Sequence, residues 1–274
     1  MLDFLKAVVL GLLQGLTEFL PISSSAHLRI FPELFGWGDP GAAFTAVVQI
    51  GTELAVLLYF RKDIWRIATT WLKSLVHPEY RGQIDARLGW YVIVGSIPIG
   101  ILGVTYKDTI ETEFRNLWLI GTTLIVLGVV LGIADRVGSR TREIKGIGMK
   151  HAVLLGLAQA LALVPGVSRS GATISMGLFL GLTREAATRI AFLLAIPAVV
   201  AAGLFEIPEI SHGDNAYGWG PTIVATVVAF IVGYAAIAWL LRYVSTRSYM
   251  PFVIYRIALG SLTLALLGAG VLTA

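Results

Sequence analysis

The chain has 274 residues and a formal net charge of +4; 56% of its residues are hydrophobic and only 14% are charged. In soluble domains about a quarter of the residues are charged, so this composition excludes an ordinary soluble domain and indicates a polytopic membrane protein. The chain has no cysteine, which excludes disulfides and thiolate metal sites. Its basic residues fall in short loops between apolar runs, as membrane topology requires, so we expect no nucleic-acid partner.

The first predicted element in chain order is an apolar region, residues 5–35, that is interrupted near its middle by Pro21 and three serines. A similar region, residues 150–182, is interrupted by Pro165 and further hydroxyl side chains. Neither half of either region is long enough to span a membrane, because a span requires roughly 20 apolar residues. We therefore predict two re-entrant helical hairpins, whose irregular backbone is tolerated only inside protein or beside a cavity.

Six uninterrupted apolar runs are long enough to span, three after each hairpin. They are Ala42–Phe60, Leu88–Tyr106, Leu117–Ala134, Ala186–Phe205, Tyr217–Leu241 and Pro251–Leu272. The predicted fold is therefore an all-α polytopic membrane protein with six transmembrane helices and two re-entrant hairpins. We expect the whole chain, residues 1–274, to form a single integral-membrane domain.

An internal repeat supports this order of elements. The segment "LGLLQGLTEFLPISSS" aligns with "LGLAQALALVPGVSRS", so that Gly11 matches Gly156 and Gln14 matches Gln159. Three spans in each unit is an odd number, so the second unit must enter the membrane upside down relative to the first. The sequence thus predicts inverted-topology repeats, approximately residues 1–135 and 150–274.

Loop charge predicts the orientation. The loops at residues 61–87 and 136–150 are rich in lysine and arginine, whereas the loop at residues 206–220 has none. The positive-inside rule assigns the basic loops to the cytoplasm. The first hairpin then enters from outside and the second from the cytoplasm, so we expect their tips to meet near the midplane.

The first hairpin carries a set of side chains suited to phosphate chemistry. Gln14 and Glu18 are four residues apart and share a helix face, where an amide and a carboxylate offer hard oxygen ligands for Mg²⁺ or Ca²⁺. Beyond the break, Ser23 or Ser24 can cap the next helix, which carries His27. Ser24 and His27 lie on the same side of that helix, and serine near histidine is a usual pairing for an activated nucleophile.

The second hairpin carries groups that attract an anion. After the break at "PGV", Ser168 or Arg169 opens a helix that includes Ser170 and Thr173. Two helix N-termini directed at one point favour negative charge, and the planar fork of Arg169 matches a phosphate group. These residues predict a phosphate-handling site within the membrane, whose hydroxyls either attack phosphorus or only hold the group.

At this point the sequence resembles a known family. "QGLTEFLPISSSAH" is similar to the (E/Q)xxxE and PxSSSxH signatures of bacterial undecaprenyl pyrophosphate phosphatases, the BacA/UppP family, and "PGVSRSGAT" to their PGxSRSxxT. The likeness runs along the chain through "VVQIGTELAVL", "FLLAIPA" and "PFVIYRI". It implies an inner-membrane enzyme that converts undecaprenyl pyrophosphate to undecaprenyl phosphate and inorganic phosphate, recycling the carrier for cell-wall synthesis. In that family overproduction is associated with bacitracin resistance.

The resemblance also implies a role for each motif residue. Ser24 would be the nucleophile, with Ser23 as its nearest rival, and His27 the proton-transfer or orienting partner. Glu18 would be a base or a ligand of a divalent cation. The other implied roles are Gln14 as a second cation ligand, Arg169 as the phosphate clamp, and Ser23, Ser25, Ser168, Ser170 and Thr173 as phosphate hydrogen-bonders. Glutamine is the neutral choice at a position that is often glutamate in the family.

Several alternatives stay open at this stage. Inverted repeats are also typical of transporters, so the runner-up function is a transporter or flippase of a lipid phosphate or small anion. Water rather than Ser24 could attack phosphorus, and the sequence does not distinguish a monomer from a homodimer. Outside the motifs, we expect Glu53 to line the cavity without a catalytic role. Arg256 is expected to snorkel to the cytoplasmic interface, or to have a structural partner.

Overall fold

A computed structural model describes residues 2–106, 116–210 and 217–273 of the chain, and within these residues it is helical and has no β-strand. The α-helices are α1 (Leu2–Phe19), α2 (Ser24–Leu34), α3 (Ala42–Tyr59), α4 (Arg61–Val76), α5 (Ile84–Thr105), α6 (Leu117–Val137), α7 (Met149–Ala160), α8 (Arg169–Phe179), α9 (Arg184–Ile210), α10 (Trp219–Val244) and α11 (Met250–Gly268). Short 3₁₀ turns occupy Pro78–Tyr80, Ile144–Gly146 and Leu161–Leu163.

Four of these helices, α5, α6, α10 and α11, are long and apolar enough to cross a membrane. A fifth span is obtained when residues 44–59 of α3 are combined with α4, although the two helices are bent by 69° at their junction. The remaining predicted span, Ala186–Phe205, lies within α9. The prediction of an all-helical membrane protein is thus confirmed, whereas the count of six spans stays a prediction.

Both apolar regions predicted to be interrupted are divided into two helices. The first region forms α1 and α2, and the second forms α7 and α8. The second helix of each pair begins after a serine with a left-handed backbone, Ser23 with φ 74° and Ser168 with φ 71°. Each serine hydroxyl caps its helix by accepting a backbone N–H, from Ala26 in one case and Gly171 in the other. The two breaks therefore share one local geometry.

In each half of the chain, the first helix of the hairpin packs against a helix of the other half. Helix α1 lies against α10 of the second half, and α7 lies against α5 of the first. A Cβ atom at Gly11 would collide with the backbone carbonyl of Ala225, and one at Gly156 would collide with that of Gly95. The glycines aligned by the sequence repeat thus make equivalent backbone contacts, which leave no space for any side chain.

One predicted loop is wrong. The segment after the first span, treated as a loop because of its charge, contains α4, a helix of 16 residues. Its charged and apolar residues alternate with helical periodicity, so it is amphipathic and lacks the long apolar run by which the spans were recognised. The loops predicted on the opposite side, residues 107–115 and most of residues 206–220, lie outside the residues that the structure describes fully.

Candidate active site

The structure brings the two sequence motifs together at the break between α1 and α2 and the break before α8. The guanidinium of Arg169 donates to Glu18 Oε1 at 2.5 Å, and the Ser170 hydroxyl donates to the Leu20 carbonyl at 3.2 Å. The Gly166 amide donates to Ser25 Oγ at 3.4 Å. An ion pair and two hydrogen bonds therefore join two segments that are far apart in the chain.

Glu18 is the centre of this arrangement. Its second oxygen, Oε2, accepts the hydroxyl of Ser24 at 2.6 Å and the amide of Gln14 at 3.2 Å. Gln14 also donates to Thr52 Oγ1 at 3.3 Å, which ties the cluster to α3. A carboxylate at this distance from a hydroxyl can accept its proton during nucleophilic attack. The same carboxylate is held by Arg169, so one residue joins the serine to the arginine.

Both ring nitrogens of His27 contact groups other than the hydroxyl of Ser24. Its Nδ1 is 2.7 Å from the Ser23 carbonyl oxygen and its Nε2 is 2.7 Å from the hydroxyl of Tyr255. A carbonyl only accepts, so Nδ1 carries the proton and Nε2 accepts from Tyr255 in the neutral ring. The ring is buried and stacks between Phe31 and Tyr255. This geometry favours the orienting role over proton transfer from Ser24.

The five predicted phosphate-binding hydroxyls differ in their access. Ser23 and Ser168 are buried helix caps, and the buried side chain of Thr173 donates its hydroxyl to the carbonyl of Arg169. Ser25 is exposed, and Ser170 lines the cleft described below. Ser25 is therefore the one of the five that an entering anion could reach without a change of structure, since Ser170 is itself buried. Ser23, Ser168 and Thr173 shape the tips and hold the backbone that carries Arg169.

A small cleft opens beside the Glu18–Arg169 pair, between α1, α3, α8 and α9. Its lining combines polar side chains from three helices with apolar side chains; the polar ones are Glu18, Thr52, Glu53, Arg169 and Ser170. The prediction that Glu53 faces the cavity is confirmed. The cleft volume is about 20 Å³, which is room for about one water molecule. A phosphoryl group can therefore enter only if the ion pair opens.

Arg256 was expected to reach the cytoplasmic interface, and this prediction is wrong. The side chain is fully buried, and its guanidinium donates to the carbonyl oxygens of Pro21 at 3.0 Å, Gly166 at 2.8 Å and Val167 at 3.0 Å. Its Nε donates to the Leu124 carbonyl. Helix breaks leave carbonyls without intrahelical partners, and this arginine satisfies those of both tips. The alternative considered for Arg256, that it has a structural partner, is the one that the contacts support.

Tyr255 and Arg256 are the site residues that the sequence reasoning did not place. Both lie in "PFVIYRI", which contributed to the resemblance, and the charge inside an apolar span was the signal that could have identified the arginine. The register that directs both side chains to the tips follows from the packing of α11 against α6. That packing is not visible in the sequence.

The donor set suits a loosely held cation rather than a closed metal site. Within the described residues there is no group of three or more His, Cys, Asp and Glu side chains that could hold a metal ion. Glu18 and Gln14 offer oxygen donors beside the cleft that Glu53 also lines. Mg²⁺ is commonly held by one or two carboxylates together with substrate phosphates and water, and these residues fit that mode.

Apolar helices packed around a half-buried serine, carboxylate and arginine define an integral-membrane protein with a site for a phosphate-like anion. Comparison with known proteins then identifies its family. Residues 7–262 match the family model described as "Bacitracin resistance protein BacA", and the chain belongs to this family.

Named relatives agree over the full length of the chain. A protein of Nocardioides sp. called undecaprenyl-diphosphatase is 72% identical over 274 residues, which cover 100% of both chains. A protein of the same name from Thermobifida fusca is 59% identical over 99% of this chain and 93% of its own. "Undecaprenyl-diphosphatase 2" of Frankia casuarinae is 58% identical over 99% of this chain and 97% of its own.

Proposed function

We propose that this protein is an undecaprenyl-diphosphatase that hydrolyses undecaprenyl pyrophosphate to undecaprenyl phosphate and inorganic phosphate, recycling the lipid carrier for cell-wall synthesis. The main structural support for this function is that Glu18 contacts both Ser24 and Arg169. A hydroxyl, a base and a guanidinium suited to phosphate therefore lie side by side. Relatives called undecaprenyl-diphosphatase, which match over the full length of the chain, support this function. A carrier that only moves its ligand has no evident need for this combination.

The reaction begins when Arg169 exchanges its partner Glu18 for the substrate. The terminal phosphoryl group draws Arg169 away from Glu18, because a doubly charged phosphoryl group attracts the guanidinium fork more strongly than one carboxylate does. Glu18 is then free to accept the proton of Ser24, whose hydroxyl already donates to it. The resting ion pair thus keeps the base neutralised until substrate arrives.

Ser24 then attacks the terminal phosphorus. A bond forms between Ser24 Oγ and phosphorus, and the bridging oxygen leaves with undecaprenyl phosphate. Arg169 and the two helix N-termini stabilise the charge that develops on the phosphoryl oxygens. Water then attacks phosphorus and the bond to Ser24 Oγ breaks; Glu18 returns its proton to Ser24 Oγ, and inorganic phosphate leaves with the oxygen and both protons of the water. Ser23 is the rival nucleophile, but its hydroxyl caps α2; direct attack by water positioned by Ser24 is the other route.

A divalent cation, Mg²⁺ or Ca²⁺, is part of this proposal. Glu18 and Gln14 would hold it, with Glu53 near enough to the cleft to contribute charge. The cation supplies charge neutralisation of the pyrophosphate when bound. Gln14 is neutral, so the carboxylate of Glu18 is the stronger ligand of the two.

The proposed topology places the tips where a lipid pyrophosphate can reach them. Six spans and two re-entrant hairpins form one domain, with inverted repeats at approximately residues 1–135 and 150–274, in the bacterial inner membrane. The shared geometry of Ser23 and Ser168 and the equivalent contacts of Gly11 and Gly156 support the repeat. The site opens toward the periplasm, and a homodimer is compatible with this arrangement.

Orientation can be tested by labelling, because the chain has no native cysteine. Single cysteines introduced at Glu111 and Arg140 should react with an impermeant maleimide from opposite sides of intact cells. Glu111→Cys should be labelled from outside and Arg140→Cys only after the cells are opened. The reverse pattern would overturn the orientation without affecting the assignment of the reaction.

Phosphate release by purified protein in detergent tests the function, because a detergent solution has no two compartments between which a transporter could act. We expect release from undecaprenyl pyrophosphate, loss of release with a chelator, and its restoration by Mg²⁺ or Ca²⁺. Glu18→Gln should lose most of the activity. Glu33→Gln is a matched control, since Glu33 forms an ion pair with Arg29 at 3.0 Å on α2, away from the cleft, and it should retain activity.

A further inference from the structure

Helix α4 has a surface that the proposed reaction does not use. It follows α3 after a bend of 69°, and it meets α5 within the first two turns of that helix. Arg66 binds Asp85 at 2.9 Å, and Trp71 packs against Gly89 and Trp90. The 16 residues of α4 include five charged side chains, which makes a transmembrane position costly. Helix α4 is therefore better placed at the membrane surface than across it.

One face of α4 is apolar and exposed. Trp65, Ala68, Leu72 and Leu75 follow one another at intervals of three or four residues, which places them on a single stripe. Trp65 is 74% exposed, Leu72 54% and Leu75 47%, so the described part of the protein does not cover the stripe. Ile67, on another face of the helix, is buried. Such a stripe beside water would be unfavourable.

A basic edge runs beside the apolar stripe. At 100° per residue, Lys62, Arg66 and Lys73 fall within about 40° of one another and flank the stripe on one side. All three are exposed. Arg66 is paired with Asp63 and Asp85, whereas Lys62 and Lys73 form no ion pair with any residue that the structure describes. The edge therefore presents positive charge toward whatever covers the stripe.

We propose that α4 lies in the cytoplasmic membrane–water interface, with its apolar stripe in the acyl-chain boundary and its basic edge bound to the headgroups of anionic lipids. An apolar face bordered by lysine and arginine is the pattern of interfacial helices on anionic leaflets. Charge complementarity selects lipid over a second copy of the chain, because two copies meeting at this surface would bring like charges together. The assignment to the cytoplasmic leaflet rests on the proposed topology.

The position of the stripe can be measured with spin labels in vesicles. Leu72→Cys and Lys73→Cys are neighbours that should face lipid and the headgroup region respectively. In vesicles that contain phosphatidylglycerol, a label at Leu72 should be accessible to oxygen and shielded from a water-soluble nickel complex, and a label at Lys73 should show the reverse ratio. Accessibility of the Leu72 label to the water-soluble nickel complex would overturn the proposal. Shielding from both reagents would indicate a covering copy instead, and would also overturn it.

The choice of lipid can be measured from the motion of spin-labelled lipids around the protein. The wild type should prefer spin-labelled phosphatidylglycerol over phosphatidylcholine. Lys62→Gln combined with Lys73→Gln should lower that preference by about thirtyfold for lipids in contact with the basic edge, since two basic side chains at about 1 kcal/mol each contribute about 2 kcal/mol. High salt should have a similar effect.

A matched control removes the same charge from the same side of the membrane. Arg242→Gln combined with Arg247→Gln changes two exposed arginines at the end of α10 and just beyond it, and should lower the preference less than the α4 variant does, because these arginines border no apolar stripe. Equal losses in the two double variants would show a nonspecific charge effect and contradict the proposal. Phosphate release in detergent should be normal in both variants, so failure here is separable from failure of the proposed reaction.

Discussion

The two hairpin tips have the same backbone and different chemistry. Ser23 and Ser168 have nearly equal φ and ψ angles, cap their helices in the same way and contact a serine two residues later at 3.1 Å. At the next position, the first tip has Ser24 and the second has Arg169. The two similar breaks thus supply two helix N-termini, and the one position at which they differ holds the proposed nucleophile in the first tip and the proposed phosphate clamp in the second.

The helices before the tips show the same contrast. Glu18 on α1 has Leu163 as its aligned counterpart, so only the first half provides a base. Gln14 donates to Glu18 and Thr52, whereas the aligned Gln159 is fully buried and its amide has no partner among the described residues. The difference teaches that, in the proposed reaction, the first half would carry the proton chemistry and the second half mainly the anion binding.

The largest expected effect is at the serine of the first tip. Ser24→Ala should lower kcat for phosphate release by at least about 10³-fold, because the nucleophile is lost. Ser175→Ala is the control: it removes a buried hydroxyl that donates to the carbonyl of Gly171 on α8, and it should retain nearly full rate. Near-normal turnover by Ser24→Ala would exclude Ser24 as the nucleophile and leave Ser23 as the candidate.

The aligned arginine of the second tip should have the next largest effect. Arg169→Ala should reduce kcat/KM by about 10³-fold, in the range typical of an arginine that stabilises a transferring phosphoryl group. Arg169→Lys should recover part of the loss, since the charge remains but the bidentate fork does not. If lysine and alanine variants were equally inactive in steady-state assays, charge would not be the property that matters.

Replacement of Arg256, which contacts both tips, should lower the stability of the protein. Arg256→Met leaves four buried carbonyl contacts without their donor, so we expect a loss of about 3 kcal/mol in the free energy of unfolding. Unfolding of detergent-solubilised protein by heat or denaturant measures the change. The adjacent Tyr255→Phe is the control, because it removes only the hydroxyl bonded to His27 and should cost less. A wild-type transition in Arg256→Met would show that the tips hold together without it.

The smallest expected effect distinguishes the aligned glutamines. Gln159→Leu removes a buried amide without partners among the described residues, so it should leave activity unchanged and raise the free energy of unfolding by about 1 kcal/mol. Gln14→Leu removes the contacts to Glu18 and Thr52 and should lower activity by about tenfold, since a hydrogen bond to a charged group contributes about 1.5 kcal/mol. Thermal unfolding and phosphate release of the two variants give the comparison. Equal losses of activity would contradict the asymmetry between the halves.

Much of this architecture could be predicted from the sequence because apolar length and broken repeats are strong signals. The helix breaks and the meeting of Glu18 with Arg169 follow from the two motifs, whereas the inverted repeat and the count of six spans stay predictions. The contacts of His27 and Arg256 could not be predicted, since they depend on how α11 packs. Helix α4 was missed because its charges alternate with apolar residues, and such a pattern contains no long apolar run.

The central claim is that both tips act on one phosphoryl group, and a double-mutant cycle tests it most directly. Phosphate release is measured in detergent for Ser24→Ala, Arg169→Ala and the combined variant. If the two residues act on the same transition state, the combined loss should be close to the larger single loss and far below the product of the two. Losses that multiply would show that Ser24 and Arg169 act independently, and would contradict the account.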